Sequence, residues 1–378
     1  MIIKLILTIF CWLAVLPIIY GFSFGIHYNF FIILVYASLL FIMFIFSRIT
    51  TKIILCVLFF ITYLILKDFP SKENLWKAGN FFIIFSAFLP SLWLLRSTAI
   101  TMPSIEKTQN LLSKLVSNKI LSGIQVTSHV LGGVLNIGTF PLLSSVIPKN
   151  AKYKIRQDTG EAAIRGMNTA VLWSPFFVSF AVGQLYLPSQ SAWLGIAFGL
   201  LVALIFNLIS VRFLIGRFTL IYLLEAISCV KPIFPRLLIL SLSVLAVGQI
   251  FDKTALNAIV IVIPILVVVQ IFRRPETTKA IISNLNNLIL KSGDEMLLIS
   301  VSMFLGSILS GSVEIQNFIS NNVGNNFPFW AMIILLPLIV WIFGLIGVHP
   351  IITSAPILSI FTKSKAPSCT SSTKANIP

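Results

Sequence analysis

Apolar runs of about twenty residues recur along almost the whole chain, separated by short polar links. Nothing else in the sequence restricts the fold as much. A helix needs about 20 apolar residues to cross a hydrocarbon core of about 30 Å. Lipid offers no hydrogen bonds to the backbone, so only helices and closed barrels can span it. A barrel needs repeated short segments of alternating polarity, and these are absent. The sequence therefore predicts an all-α polytopic membrane protein of about ten membrane helices packed as one body. The charge content agrees: 10% of residues are charged, whereas a soluble domain carries roughly 25%.

The formal net charge of +16 reflects topology and excludes a nucleic-acid partner. Lys and Arg sit in short loops between apolar runs, as in the cytoplasmic loops of a multi-pass inner-membrane protein. Residues 2–22, 27–47, 52–66 and 77–95 read as four helices, with 2–22 a membrane helix and not a cleaved signal peptide. Arg48 and Lys52 mark one loop as cytoplasmic, and Arg96, Lys107, Lys114 and Lys119 mark another, which places the N-terminus inside. Residues 1–96 form a scaffold block in this reading. Cys11, Cys56, Cys229 and Cys369 form no CxxC pair and no cluster with His, so neither a metal site nor a disulfide framework is expected. A P-loop, an HExxH helix and a Ser/His/Asp set are all missing, as is an Asp-rich prenyl-phosphate site. No catalytic residue and no cofactor are expected.

Two distant stretches share a pattern. Gly166-Met167-Asn168-Thr169 leads to Trp173-Ser174-Pro175, and Gly347-Val348-His349-Pro350 leads to Thr353-Ser354-Ala355-Pro356. Each sets Gly, a large polar residue and Pro inside apolar surroundings. Pro and Gly interrupt a helix and free its backbone groups. Such breaks in corresponding halves point to the substrate site of a secondary transporter.

The flanking order matches too. An amphipathic helix at 103–119, with Leu111, Leu112, Leu115 and Val116 on one face, is mirrored at 275–291 by Ile281, Ile282, Leu285, Leu288 and Ile289. Segment 128–138 (SHVLGGVLNIG) aligns with 302–312 (SMFLGSILSGS). A polar linker then leads to each break. The expected transport repeats are 103–183 and 275–362, joined by connecting helices over 190–272 and followed by a polar tail, 363–378.

Basic residues flank Leu121–Pro148 on both sides, so a re-entrant hairpin with a tip at Gly132, Gly133 and Gly138 satisfies the charge rule better than a single long span. The segment 212–229 reads either as a span or as a surface segment. Crossing gives inverted repeats, and lying flat gives parallel ones.

The predicted substrate and ion ligands are Asn136, Thr139, Ser310 and Ser312 at the hairpin tips, and Asn168, Thr169, Ser174, His349, Thr353 and Ser354 at the breaks. Neutral hydroxyls and amides with freed carbonyls suit Na⁺, and inward helix N-termini favour an anion. For the serines taken singly, a bond back to their own helix competes with a site role. His349 is a proton-coupling candidate. His129 reads equally as a helix–helix contact. Glu161, Glu225 and Glu314 are the carboxylates near the predicted site, and Arg165 reads equally as an anion guide or a boundary marker.

This layout resembles the ion transporter superfamily of secondary carriers, which includes divalent-anion/Na⁺ symporters, arsenite permeases and the large subunits of binding-protein-dependent carriers. The resemblance covers about 103–362, and Asn168-Thr169 is similar to the Asn-Thr of their Ser-Asn-Thr motifs. Met167 stands where that Ser would be, and His349-Pro350 replaces the second motif. The resemblance implies two inverted repeats, re-entrant hairpins, discontinuous helices, Na⁺ or H⁺ as coupling ion, and a homodimeric scaffold. It also implies a further span where this chain has its polar tail, as in a shortened member. The expected function is secondary transport of a small organic or inorganic anion by alternating access. An integral-membrane enzyme or assembly factor of envelope polymer synthesis, and a truncated inactive carrier, are the other readings.

Overall fold

The computed structural model describes residues 9, 12–24, 30–66, 68–115, 119–148, 150–186, 189–214, 220–312, 317, 329–345 and 354. Among them every regular element is helical and no strand occurs. In chain order these are α1 (Val15–Phe24), α2 (Phe30–Phe46), α3 (Ile49–Ile65), α4 (Lys72–Ile100), α5 (Pro103–Ser113), α6 (Ile120–Leu135), α7 (Thr139–Ser144) and α8 (Tyr153–Ala170). There follow α9 (Val178–Tyr186), α10 (Ser189–Leu214), α11 (Leu220–Val230), α12 (Phe234–Ile250), α13 (Ala255–Arg273), α14 (Thr278–Gly311) and α15 (Phe329–Leu345).

Three described helices are long and apolar enough to cross a membrane: α4, the Trp193–Arg212 stretch of α10, and α13. A fourth is added if Leu223–Val230 and Phe234–Ile250, bent by 70°, count as one broken span. The expected ten are not reached among the described residues. Helices α2 and α3 have 17 residues each, a rise of about 26 Å, just under the about 30 Å of hydrocarbon. In the undecided segment 212–229, the described part of α11 has 11 residues, about 16 Å, fewer than a span needs alone.

The chain forms two compact units, one from Met1–Phe24 and Ala87–Lys291, the other from Gly25–Ser86 and Ser292–Pro378. Helix α1 packs on α13. In the first unit a core cluster joins α5, α6, α7, α8 and α11 through Leu112, Ile124, Leu143, Ala162, Ala163 and Cys229. In the second, Phe82 stacks on Phe304 with ring centroids 4.7 Å apart, and Asn74 Nδ2 donates to the Gly311 carbonyl at 3.2 Å.

The two expected repeats begin differently. In the first half the amphipathic helix α5 ends at Ser113, and α6 starts separately at Ile120. In the second, one helix of 34 residues, α14, carries both the amphipathic and the apolar segment. Ile281, Leu285 and Ile289 are buried one turn apart, and the helix continues through Gly293, whose cost of about 1 kcal/mol is tolerable.

Candidate functional site

Helix α8 covers 153–165, the stretch read from sequence as a polar linker. Its low hydropathy hid it, but its side chains pair one turn apart. Lys154 Nζ lies 3.1 Å from Asp158, Gln157 donates to Glu161 at 3.1 Å, and Arg165 donates to Glu161 at 2.7 Å. Such pairs add about 0.3–0.5 kcal/mol each to a helix. The other face is small and buried: Ala162, Ala163, Gly166 and Ala170. Small residues let two helix backbones approach closely, and here the partner is α6. A Cβ on Gly166 would run into the Gln125 carbonyl oxygen and come within 2.9 Å of the His129 backbone nitrogen.

Glycines on α6 complete the fit. Gly132 faces Met167 with a would-be Cβ at 3.2 Å from its Cα, and Gly133 faces the Trp173 ring at 2.8 Å. The two therefore serve close packing inside a regular helix and do not form a flexible tip. The chain turns just beyond, at Asn136, whose φ of 53° and ψ of −134° match the first central position of a type II′ turn, which Gly and Asn fill best.

Helix α8 ends at Ala170, and α9 begins at Val178. The interruption is where the Gly/Asn/Pro pattern predicts a break. Pro175 has no N–H to continue a helix. Ser174, fully buried, donates its hydroxyl to the Gly133 carbonyl of α6 and accepts from the Phe176 backbone at 3.2 Å. Its only proton is used on α6, so Ser174 fixes the break in place and has no donor left for a ligand.

A polar cluster sits between α6, α8 and α10. Gln125 Nε2 donates to Asn207 Oδ1 at 2.8 Å. Asn207 Nδ2 donates to Thr169 Oγ1 at 2.9 Å. Thr169 donates to the Gly166 carbonyl at 2.7 Å, and His129 Nδ1 lies 2.9 Å from the same Oγ1. Thr169 has one hydrogen, already given to Gly166, so it accepts from both neighbours. In the tautomer protonated at Nδ1, His129 donates to Thr169. Gln125 is fully buried, while His129 and Asn207 are 6% and 7% exposed. The His129 ring also tilts against Trp173, centroids 5.9 Å apart.

His129 and Asn207 line an open groove of about 860 Å³ between α6, α10, α11 and α12, whose rim residues Leu204, Leu224, Ile227 and Phe234 are exposed. Its remaining wall is mostly Val, Leu, Ile and Phe, with Ser228 and Lys231 beside them. The volume is at the upper end of ligand pockets, about 300–1,000 Å³.

Of the predicted ligands, Thr169 lies in this cluster. Asn168, its neighbour, is exposed on α8. Asn136 and Thr139 flank the turn after α6. Thr139 is fully buried, and its Oγ1 has no hydrogen-bond partner among the described residues. Ser310 donates to the Ser307 carbonyl of its own helix at 2.9 Å, and the backbone of Ser312 closes the end of α14 on Leu309 at 3.2 Å. Both belong to the second unit. His349 and Thr353 lie outside the described residues. Ser354 is described alone, as a single half-buried helical residue. Among the acids, Glu161 pairs with Arg165, and Glu225 pairs with Lys119 at 2.8 Å. Glu314 lies outside the described residues.

Sequence reasoning missed Gln125 and Asn207. The available signal was an amide inside an otherwise apolar run, clearest for Asn207 on α10. Trp173 was quoted only as part of the motif, yet its Nε1 is a buried donor with no partner among the described residues. Compared with protein-family models, with curated proteins and with solved structures, the chain matches none of them.

Proposed function

We propose that this chain is a secondary carrier that moves an organic anion across the cytoplasmic membrane by alternating access. The observation that carries the reading is the interrupted helix α8–α9, packed on α6, with a buried polar cluster at the interruption and a large open groove beside it. Buried polar groups in a membrane segment cost free energy and mark functional sites by default. The groove wall favours an organic substrate over an inorganic one, because a small hydrated anion gains nothing from Leu and Ile.

The cluster favours H⁺ over Na⁺ as coupling ion. Thr169 already takes two hydrogen bonds and gives one, so it has no lone pair to offer a cation. His129 keeps one basic nitrogen and lines the groove. Its protonation would add a donor where an anion binds. The finer architecture belongs to the same proposal: about ten membrane helices, two related halves, a re-entrant hairpin over 121–148, and a homodimer through the N-terminal helices. No catalytic step and no cofactor enter.

The test is uptake into proteoliposomes holding the purified full chain, with apolar carboxylates, small hydrophilic dicarboxylates and arsenite offered under a pH gradient or a Na⁺ gradient. Accumulation of the carboxylates driven by the pH gradient, and lost in His129→Gln, supports the reading. Absence of transport under either gradient, for every anion offered, refutes it.

A further inference from the structure

A second cavity has the opposite layout. It measures about 160 Å³ and lies between α4, α6, α12 and α13, walled by apolar residues such as Val134, Leu240 and Val267. Arg236 and Arg273 stand at it, with Gln270. Both arginines are exposed. Arg274 is engaged by Glu276 at 3.9 Å, whereas no described carboxylate pairs with Arg236 or Arg273.

The position of the pair follows from the helices. Arg236 opens α12 and Arg273 closes α13, and only four residues, 251–254, join the other ends of these two helices. The arginines are therefore at the same end of a helical hairpin. The charge rule puts that end on the cytoplasmic side. The flanking surface is apolar and exposed: Ile239 at 57%, Phe272 at 82%. A soluble protein would not show such a surface, and hydrocarbon covers it readily.

We infer that this crevice binds an anionic glycerophospholipid of the cytoplasmic leaflet, its phosphate between Arg236 and Arg273 and part of one acyl chain in the cavity. Guanidinium groups match phosphate oxygens in a bidentate fashion, and basic pockets between membrane helices on the cytoplasmic side suit lipid head groups. A cavity of about 150 Å³ elsewhere accepts a benzene-sized ligand. The crevice thus takes a short stretch of chain and leaves the rest on the outer face of α12 and α13. A free phosphate would use the arginines and leave the apolar wall empty. The inference does not depend on the transport reading, since no residue is shared with the cluster around His129.

The experiment is native mass spectrometry of the full chain in a neutral detergent, titrated with dioleoyl phosphatidylglycerol or dioleoyl phosphatidylcholine. The first phosphatidylglycerol should bind at least about tenfold more tightly than phosphatidylcholine. The double variant Arg236→Gln/Arg273→Gln should lose the preference, and Arg236→Lys/Arg273→Lys should keep most of it. Excess free glycerol phosphate should not compete. Equal binding of the two lipids, a preference that survives in the Gln variant, or full competition by glycerol phosphate would each overturn the proposal. The comparison of lipids on the unaltered chain needs no variant to fold.

Discussion

Segments 128–138 and 302–312 align residue for residue, yet their surroundings differ in kind. On α6, Ser128 donates to the Ala163 carbonyl at 2.6 Å, His129 meets Thr169, and Gly132 and Gly133 receive Met167 and Trp173. On α14, Met303 replaces His129 and Ser307 replaces Gly133. Ser302, the counterpart of Ser128, is 1% exposed, with an Oγ that has no partner among the described residues. Likeness in pattern therefore does not make two equivalent sites. What distinguishes the first is a second helix close enough to supply partners, and glycines allow that closeness.

The largest effect should come from removing the closeness. Gly166→Ala drives a methyl group into the Gln125 carbonyl, and Gly199→Ala drives one into the Leu172 carbonyl. Backbone cannot yield as a side-chain tip can, so each should cost at or above the top of the usual overpacking range of about 1–3 kcal/mol. Gly160 lies on the same helix with nothing within 4 Å of its would-be Cβ. Gly160→Ala should raise stability by up to about 1 kcal/mol through helix propensity. Apparent Tm values of the three variants in detergent check this. A Gly166→Ala protein as stable as Gly160→Ala would mean that α6 and α8 are not in contact.

An intermediate effect is expected in the cluster. Asn207→Ala leaves Gln125 Nε2 only its long 3.4 Å contact with the backbone carbonyl of residue 207 and withdraws a donor from Thr169. A buried unsatisfied group costs about 1–3 kcal/mol. Gln125→Ala should cost about as much, and the double variant clearly less than the sum, because contacting residues couple by about 0.5–3 kcal/mol. Strict additivity of the two losses would show that the pair does not exist.

How much of this was legible follows from what periodicity can carry. Apolar runs gave the helical class, and the Gly/Asn/Pro pattern gave the break after Ala170, because each is a local backbone property. Thr169 was reachable for the same reason. Helix α8 was not, since its polar sequence is held by pairs one turn apart and by the small face of Ala162, Gly166 and Ala170 against α6. Asn207 was not reachable as a site residue either. Its partners Gln125 and Thr169 are far off in sequence, and only packing brings them within 2.9 Å. The separation of α5 from α6, against the continuity of α14, is likewise something that two similar amphipathic patterns do not reveal.

The smallest effect tests whether the comparison reaches the second half. Ser128→Ala removes one hydrogen bond and leaves the Ala163 carbonyl without it, a loss of about 1 kcal/mol. If segment 347–357 packs on α14 as 166–176 packs on α6, Gly344 takes the place of Ala163, and Ser302→Ala costs the same. If it does not, Ser302→Ala is neutral or stabilising, because a buried hydroxyl with no partner is itself a cost. The sign of the Tm shift separates these cases. A cysteine pair at Ser302 and Gly344, in a background with the four native cysteines removed, reports contact independently, since a disulfide forms only when the Cα atoms come within about 7 Å. Oxidation of that pair with a destabilising Ser302→Ala would establish two related breaks. No cross-link and a neutral Ser302→Ala would leave the α6–α8 interface as the single break of its kind, with the carrier reading resting on one half.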